Sequence, residues 1–182
     1  MTKTKLMLIL LPAIALGSCS QSPQSSMKEF CSELTAGNWQ KAFEVFGDAD
    51  TIKTALADIE KEPETKQLAE AVFGSSKCSV AASKDSMVTL DVDAVNAQAV
   101  TAGVMADSIG MALMSAFGGE SGQKLMQDAM MAKLVSGLTA ENAPRTQKQV
   151  VVEMKQVDGH WMPSDGDDLL SAITGGIDKL GQ

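Results

Sequence analysis

The two cysteines best placed to react with each other are Cys31 and Cys78. They lie far apart in the chain, so they do not form the CxxC spacing of redox and metal-binding motifs. In an oxidising compartment, two such cysteines most simply form one disulfide bond. For a bridge that closes so long a loop, the chain-entropy model gives a stabilisation of the fold of about 4 kcal/mol as an upper figure. The alternative is a pair of buried free thiols.

Methionine is the other sulfur-bearing residue, and six of its twelve copies fall between residues 97 and 138. Core packing is the preferred explanation, because unbranched thioethers fill irregular gaps. The same side chains also form adaptable surfaces for apolar ligands or partners. A third explanation is Cu(I) binding by pairs such as Met111 with Met114 or Met126 with Met130, although no His or Cys lies nearby. The six residues of this candidate apolar binding surface are Met105, Met111, Met114, Met126, Met130 and Met131.

Other residue types that commonly carry catalysis are scarce. The single histidine, His160, has no recognisable orienting partner, which a general base needs. Asp165, Asp167 and Asp168 could bind calcium, but no glutamate closes an EF-hand loop, so we expect helix capping. The sequence contains no nucleophile elbow, phosphate-binding loop or His/carboxylate metal motif. We therefore expect no catalytic residues, no metal and no cofactor, and we do not expect an enzyme.

The first 18 residues have the organisation of an export signal. Lys3 and Lys5 precede an apolar stretch over residues 6–16, which is too short to span a bilayer. The stretch ends in Leu-Gly-Ser-Cys, and this end resembles the lipobox of bacterial lipoproteins. The resemblance implies cleavage after Ser18 and attachment of lipid to Cys19, which would anchor the protein to a membrane. The alternative is an ordinary secretory signal that happens to contain Cys19.

The residues after Cys19 predict where the anchored protein lies. Residues 20–26 are only Ser, Gln and Pro, so residues 19–26 are predicted to be a lipidated cysteine with a flexible tether. Ser20, in place of Asp, favours the outer membrane by resemblance to proteobacterial sorting signals. The net charge of −8 argues against nucleic-acid binding, which needs a basic stripe. An acidic domain is also repelled from an anionic membrane surface.

Apolar residues at helical spacing predict the first elements of the domain. A stripe from Met27 to Leu34 and a second from Trp39 to Phe46 are separated by Gly37-Asn38. A third stripe runs from Ile52 to Ile59. Pro63 is predicted to restart a helix that ends at Gly74.

The period then changes to the alternation of half-buried strands. Two-residue turns are predicted at Lys84-Asp85 and at Asp158-Gly159, the second being a strong hairpin signal. Pro163 is predicted to end the last strand. The predicted strands cover residues 78–82, 88–94, 150–154 and 160–162.

A helical hairpin is predicted between the two strand pairs, over residues 97–138, with Gly118-Gly119 at its turn. Small residues at Ala102, Ala106 and Gly110 would allow close contact between its helices.

A last helix is predicted after the sheet. Ser164 is expected to cap it, with Asp167 and Asp168 near its positive N-terminal end. Its apolar side is expected to run from Leu169 to Leu180.

This order of elements resembles the nuclear-transport-factor-like and cystatin-like α+β domains, including small bacterial lipoproteins of unknown function. Residues 34–43, a helix pair joined at Gly-Asn, and residues 150–161, a strand with an Asp-Gly turn and a Trp, carry the resemblance, which covers 27–95 and 146–163. It implies a curved antiparallel sheet around N-terminal helices and a cone-shaped pocket, which the inserted hairpin could fill or cover. Enzymes of that superfamily place acidic and histidine groups in the pocket, and no residue here maps onto them.

The sequence therefore predicts one α+β domain over residues 27–182, with N-terminal helices on a curved antiparallel sheet of about four strands. A Met-rich helical hairpin is inserted and a C-terminal helix follows. The expected function is non-catalytic binding of an envelope protein or an apolar small ligand by a lipid-anchored protein of the cell envelope. The alternative is an apolar-ligand carrier or an enzyme that uses the concave pocket of the sheet.

Overall fold

The described part of the chain is an α+β structure, as predicted. A computed structural model describes residues 21–46, 50–115 and 119–177, with only the backbone described at 50–52, 55, 107–115 and 119–120. The predicted signal, Cys19 and residues 178–182 lie outside this description. Within it, seven helices accompany one antiparallel sheet of four strands in the order β1-β2-β3-β4.

The elements follow the predicted order. The helices are α1 (Pro23–Thr35), α2 (Trp39–Glu44), α3 (Asp50–Lys61), α4 (Pro63–Gly74), α5 (Ala97–Ser115), α6 (Gly119–Thr139) and α7 (Asp167–Ile173). The strands are β1 (Lys77–Lys84), β2 (Met87–Val95), β3 (Arg145–Val157) and β4 (His160–Pro163).

Helix α1 begins earlier than the sequence pattern indicated. The Ser22 hydroxyl accepts the Ser25 N–H at 3.1 Å, and the Ser25 hydroxyl accepts the Ser22 N–H at 2.8 Å. This capping box satisfies two backbone donors, and Pro23 is well suited to the first helical position. Residues 23–26 are therefore helical, and Ser26 is buried. The expected tether is corrected at residues 23–26, which form the first turn of α1.

The core lies between α1 and the inner face of the sheet. Met27, Phe30 and Leu34 are fully buried, as the helical spacing predicted. The ring of Phe30 also stacks on Phe46 with 4.9 Å between centroids. These side chains share one cluster with apolar residues of the strands, which are Val88, Leu90, Val92, Ala94, Val150, Val152 and Met154.

The register between β2 and β3 shows how the helical hairpin is inserted. Nine consecutive residues of each strand pair, from Met87 with Glu153 to Val95 with Arg145. Helices α5 and α6 therefore stand where a short β-turn would otherwise join the two strands. The Asn96 N–H donates to the Pro144 carbonyl at 2.7 Å, which extends the ladder to the base of the hairpin.

The turn at Asp158-Gly159 lies where it was predicted. Both residues have positive φ, 51° and 86°, which is the conformation of a type I′ hairpin turn. The first β-turn is placed one residue later than predicted. Lys84 pairs with Met87, and Asp85 with φ of 54° occupies the turn itself.

Helix α7 begins later than predicted. Ser164 does not cap it, because the helix starts at Asp167 after Gly166. The Asp165 carboxylate instead accepts the Asp167 N–H at 3.0 Å, which supports the expected capping role of Asp165. Asp167 and Asp168 lie in the first turn, as predicted.

Helix α7 also ends earlier than predicted, at Ile173 rather than near residue 180. Gly175 and Gly176 have φ of +62° and +82°, a left-handed conformation that terminates a helix. Gly175 lies against the end of β2, where an added Cβ would be 1.7 Å from the Val95 carbonyl oxygen. Close approach of two backbones, which the sequence does not reveal, therefore sets this boundary.

Candidate functional site

The predicted disulfide between Cys31 and Cys78 is confirmed. It joins α1 to the edge strand β1. Beside it, the Thr35 hydroxyl accepts the Cys78 N–H at 3.2 Å and lies 3.3 Å from the Cys78 carbonyl, to which it can donate. The C-terminal half of α1 is thus fixed to β1 by one covalent bond and by a threonine hydroxyl.

The direction of α1 places the N-terminal end of this helix away from the helical hairpin. The hairpin leaves the sheet where Val95 pairs with Arg145, which is also the end at which β1 begins. Thr35, the last residue of α1, contacts Cys78 at this end. Pro23 lies about 20 Å of helix away, toward the end of the sheet where α1 contacts β4.

A groove of about 340 Å³ lies between α4, α5 and α6, and we call it the hairpin groove. It is lined by Met105, Met130 and Met131, together with Val104 and Leu134. The polar groups that line it are Glu64 of α4, Thr101 of α5 and Gln127 of α6. The arrangement presents three thioethers together with a carboxylate and an amide.

The described methionines of the candidate surface are not core residues. Met105 is 59% exposed, and Met126, Met130 and Met131 are half-buried. The preferred explanation of core packing is therefore wrong for Met105, whereas the partial burial of Met126, Met130 and Met131 fits both packing within the hairpin and an apolar surface. The side chains of Met111 and Met114 lie outside the description, so the proposed pairing of these two for copper cannot be placed.

The close contact between the hairpin helices uses a different residue from those predicted. Ala102 and Ala106 are exposed, and at Gly110 only the backbone is described. Gly137 of α6 makes the approach instead, since an added Cβ there would lie 2.7 Å from a methyl of Val100. Ala102 and Ala106 face solvent because this part of α5 turns Val100 and Val104 toward α4 and α6.

In the described part of the chain, the inner face of the sheet is filled and does not form the concave pocket that the resemblance implied. The apolar side chains that β2 and β3 contribute to this face are at most 8% exposed beneath α1 and α7. A groove of about 500 Å³ lies instead along β1, β2 and β3. There the Asp93 carboxylate accepts Arg145 Nε at 2.7 Å, and Asp91 accepts the Gln149 amide at 3.0 Å. Both carboxylates are already paired, which makes them poor candidates for a general base.

Comparison with protein-family models, with curated proteins and with solved structures finds no match to this chain. The resemblance to nuclear-transport-factor-like domains therefore stays a prediction.

The remaining sequence candidates do not assemble into a site. His160 is exposed at the start of β4. Within the described ranges, no three His, Cys, Asp or Glu side chains are grouped so that they could hold a metal ion. The pKa of Lys61 is raised because its ammonium donates to Asp58 at 2.8 Å, but this exposed pair lines neither groove. No helix in the described part is long and apolar enough to cross a membrane.

Several residues of the hairpin groove were missed by the sequence reasoning. Glu64 and Leu134 gave no signal of their own, because each belongs to an ordinary amphipathic helix pattern. They are brought beside the methionines when α4 packs on α6, and a single sequence contains no information about that pairing of distant helices.

Proposed function

We propose that this protein is a lipid-anchored, non-catalytic binding protein of the cell envelope, which receives apolar side chains of a partner protein in the hairpin groove. The observation that carries the proposal is the convergence of Met105, Met130 and Met131 on one groove. Thioether side chains adapt their shape to varied apolar surfaces.

The size of the hairpin groove favours a protein partner over a carried small molecule. Its volume of about 340 Å³ is near the lower limit of pockets that enclose small ligands. Such a space accepts a few apolar side chains of a partner helix, which is a common mode of recognition. Glu64 and Gln127 would orient that helix through polar contacts.

If lipid is attached at Cys19, as proposed, the hairpin groove lies at the end of the protein that points away from the membrane. Cys19 precedes the capped start of α1 at Ser22 by three residues, so the link to the lipid is short. Pro23 lies toward the end of the sheet opposite the hairpin. A partner in the aqueous part of the envelope fits this orientation better than the lipids of the anchoring membrane.

The groove along β1, β2 and β3 is the second candidate, as the site of a ligand carrier or an enzyme. Its volume of about 500 Å³ favours this function. The pairing of Asp91 with Gln149 and of Asp93 with Arg145 weighs against it, because the two carboxylates that line this groove are already engaged by neighbouring side chains.

The hairpin groove can be tested with the full chain labelled with ¹³C at its methionine methyl groups. A synthetic amphipathic helical peptide with leucine on one face is added, and NMR follows each methyl. We expect the signals of Met105, Met130 and Met131 to shift together. Met130→Lys should weaken binding about tenfold, because it removes the thioether surface that the peptide would cover and places a charged group in an apolar groove.

The matched control for this experiment is Met87→Lys. Met87 is 42% exposed on the β1–β2 hairpin and does not line the groove. This variant should bind the peptide like the unmodified chain. Equal shifts at Met87 and in the groove would show that the peptide only adheres to exposed methionine, and the proposal would be withdrawn.

The anchor can be tested by feeding cells an alkyne-labelled palmitate and detecting the label on the purified protein. We expect Cys19→Ser to abolish labelling, because the thiol of residue 19 is the proposed attachment point. The chain in which Cys31 and Cys78 are both changed to alanine should keep its label. Label that persists after Cys19→Ser would contradict the lipid anchor.

A further inference from the structure

The methionines of this protein differ widely in how far solvent reaches them. Among those whose side chains the structure describes, Met105 is the most exposed at 59%, and Met87 follows at 42%. Met27 and Met154 lie in the core and are at most 2% exposed. Oxidants reach an exposed thioether more readily than a buried one, and the sulfoxide that forms is polar. Met105 is therefore the methionine of the hairpin groove that is most open to this reaction.

A buried hydroxyl group lies one helical turn before Met105. Thr101 and Met105 both line the hairpin groove, and four residues separate them, which makes them neighbours on the surface of α5. Helical side chains lean toward the N-terminus of their helix, so the side chain of Met105 leans toward Thr101. Thr101 Oγ1 is shielded from solvent, and among the described residues it has no hydrogen-bond partner. A thioether is only a weak acceptor, so the unmodified groove leaves this donor unused.

We propose that Met105 is an oxidation site, and that its conversion to methionine sulfoxide closes the hairpin groove to apolar partners. The oxidant is a peroxide such as hydrogen peroxide. The sulfur attacks one peroxide oxygen, a sulfur–oxygen bond forms, the O–O bond breaks, and water leaves with both protons. The sulfur loses the two electrons that the peroxide gains. The new oxygen accepts the hydrogen bond of the Thr101 hydroxyl, which holds the polar group in the groove.

The effect on a partner rests on the proposed function, because a polar atom disables a groove that binds apolar side chains. The sulfoxide oxygen can accept two hydrogen bonds, of which Thr101 supplies one and water the other. An apolar partner would displace that water and offer no hydrogen bond in return. Binding of the leucine-faced helical peptide should therefore weaken about tenfold after oxidation.

The oxidation site is tested on the full chain by brief treatment with hydrogen peroxide and mass spectrometry of its proteolytic peptides. We expect Met105 to be oxidised at least as fast as Met87 and faster than the half-buried Met130 and Met131. The core methionines should stay unmodified while the protein is folded. Oxidation of Met130 or Met131 ahead of Met105 would overturn the proposal.

The hydrogen bond from Thr101 is tested by Thr101→Val, which removes the hydroxyl and keeps the branched shape of the side chain. Oxidation should lower the midpoint of urea denaturation further in this variant than in the unmodified chain, because the sulfoxide then lacks its donor. Equal lowering in the two chains would contradict a sulfoxide held by Thr101.

Peptide binding before and after peroxide treatment separates oxidation from the proposed function. Met105→Leu cannot form a sulfoxide, so its affinity, measured against its own untreated sample, should not change on treatment. Met87→Leu is the matched control outside the groove and should lose affinity on treatment as the unmodified chain does. Equal loss in Met105→Leu and Met87→Leu would overturn the proposal. If the untreated chain does not bind the peptide, the proposed function is wrong, and the order of oxidation and the urea comparison still decide whether Met105 is an oxidation site.

Discussion

A chain in which Cys31 and Cys78 are both replaced by alanine is expected to lose about 3–4 kcal/mol of its free energy of unfolding. The bond joins residues separated by 47 positions, so it removes many conformations from the unfolded chain. It also fixes α1, which provides Met27, Phe30 and Leu34 to the core. Urea denaturation should measure the loss, and the melting temperature should fall by about 10 °C.

Two comparisons check the origin of this loss. The unmodified protein in a reducing buffer should be as unstable as the double alanine variant. Thr35→Val removes only the hydroxyl contacts beside the bond and should cost about 1 kcal/mol. If the double alanine variant is as stable as the oxidised protein, the disulfide does not stabilise the fold.

Gly175→Ala is expected to destabilise the fold by about 2–5 kcal/mol. The added methyl would lie 1.7 Å from the Val95 carbonyl oxygen, so α7 or the end of β2 must move. The backbone of Gly175 also has φ of +62°, which is unfavourable for alanine. Urea denaturation monitored by circular dichroism measures the change.

The neighbouring residue supplies a matched control. Gly176 has φ of +82°, but the nearest atom to an added Cβ is 3.6 Å away on the flexible side chain of Gln98. Gly176→Ala should therefore show only the backbone strain, about 1–2 kcal/mol. If the two variants lose the same stability, the contact between Gly175 and Val95 is not a constraint on the fold.

Most of the secondary structure was predictable because burial leaves a local, periodic trace in the sequence. The stripe from Met27 to Leu34 repeats at the helical period, and Val88 to Ala94 alternates at the strand period. Both patterns depend only on which side of an element faces the core. The turn at Asp158-Gly159 was predictable from equally local information, since the left-handed backbone at both positions favours these residue types.

The errors occurred where distant segments or unusual caps decide the structure. Gly137 contacts Val100, and Gly175 contacts Val95, and neither contact has a local signature. The start of α1 was missed because Ser25 takes the position that glutamate usually occupies in a capping box. A Ser-, Gln- and Pro-rich segment then resembled a tether although its second half is helical.

The candidate site was only partly predictable, for the same reason. Composition located the methionines in the inserted hairpin, but it favoured a buried role for them. Exposure depends on how much of the hairpin other helices cover, and α4 covers only part of it.

The continuous register between β2 and β3 makes the helical hairpin an exchangeable module. Val95 and Arg145 already stand opposite each other, so the sheet needs only some connection between them and does not specify its length. Loop-closure entropy rises by only about 0.6 kcal/mol for each doubling of a flexible connection. Descendants of this chain could therefore lengthen, shorten or replace α5 and α6 and acquire new binding partners while the sheet, the disulfide and α1 remain unchanged.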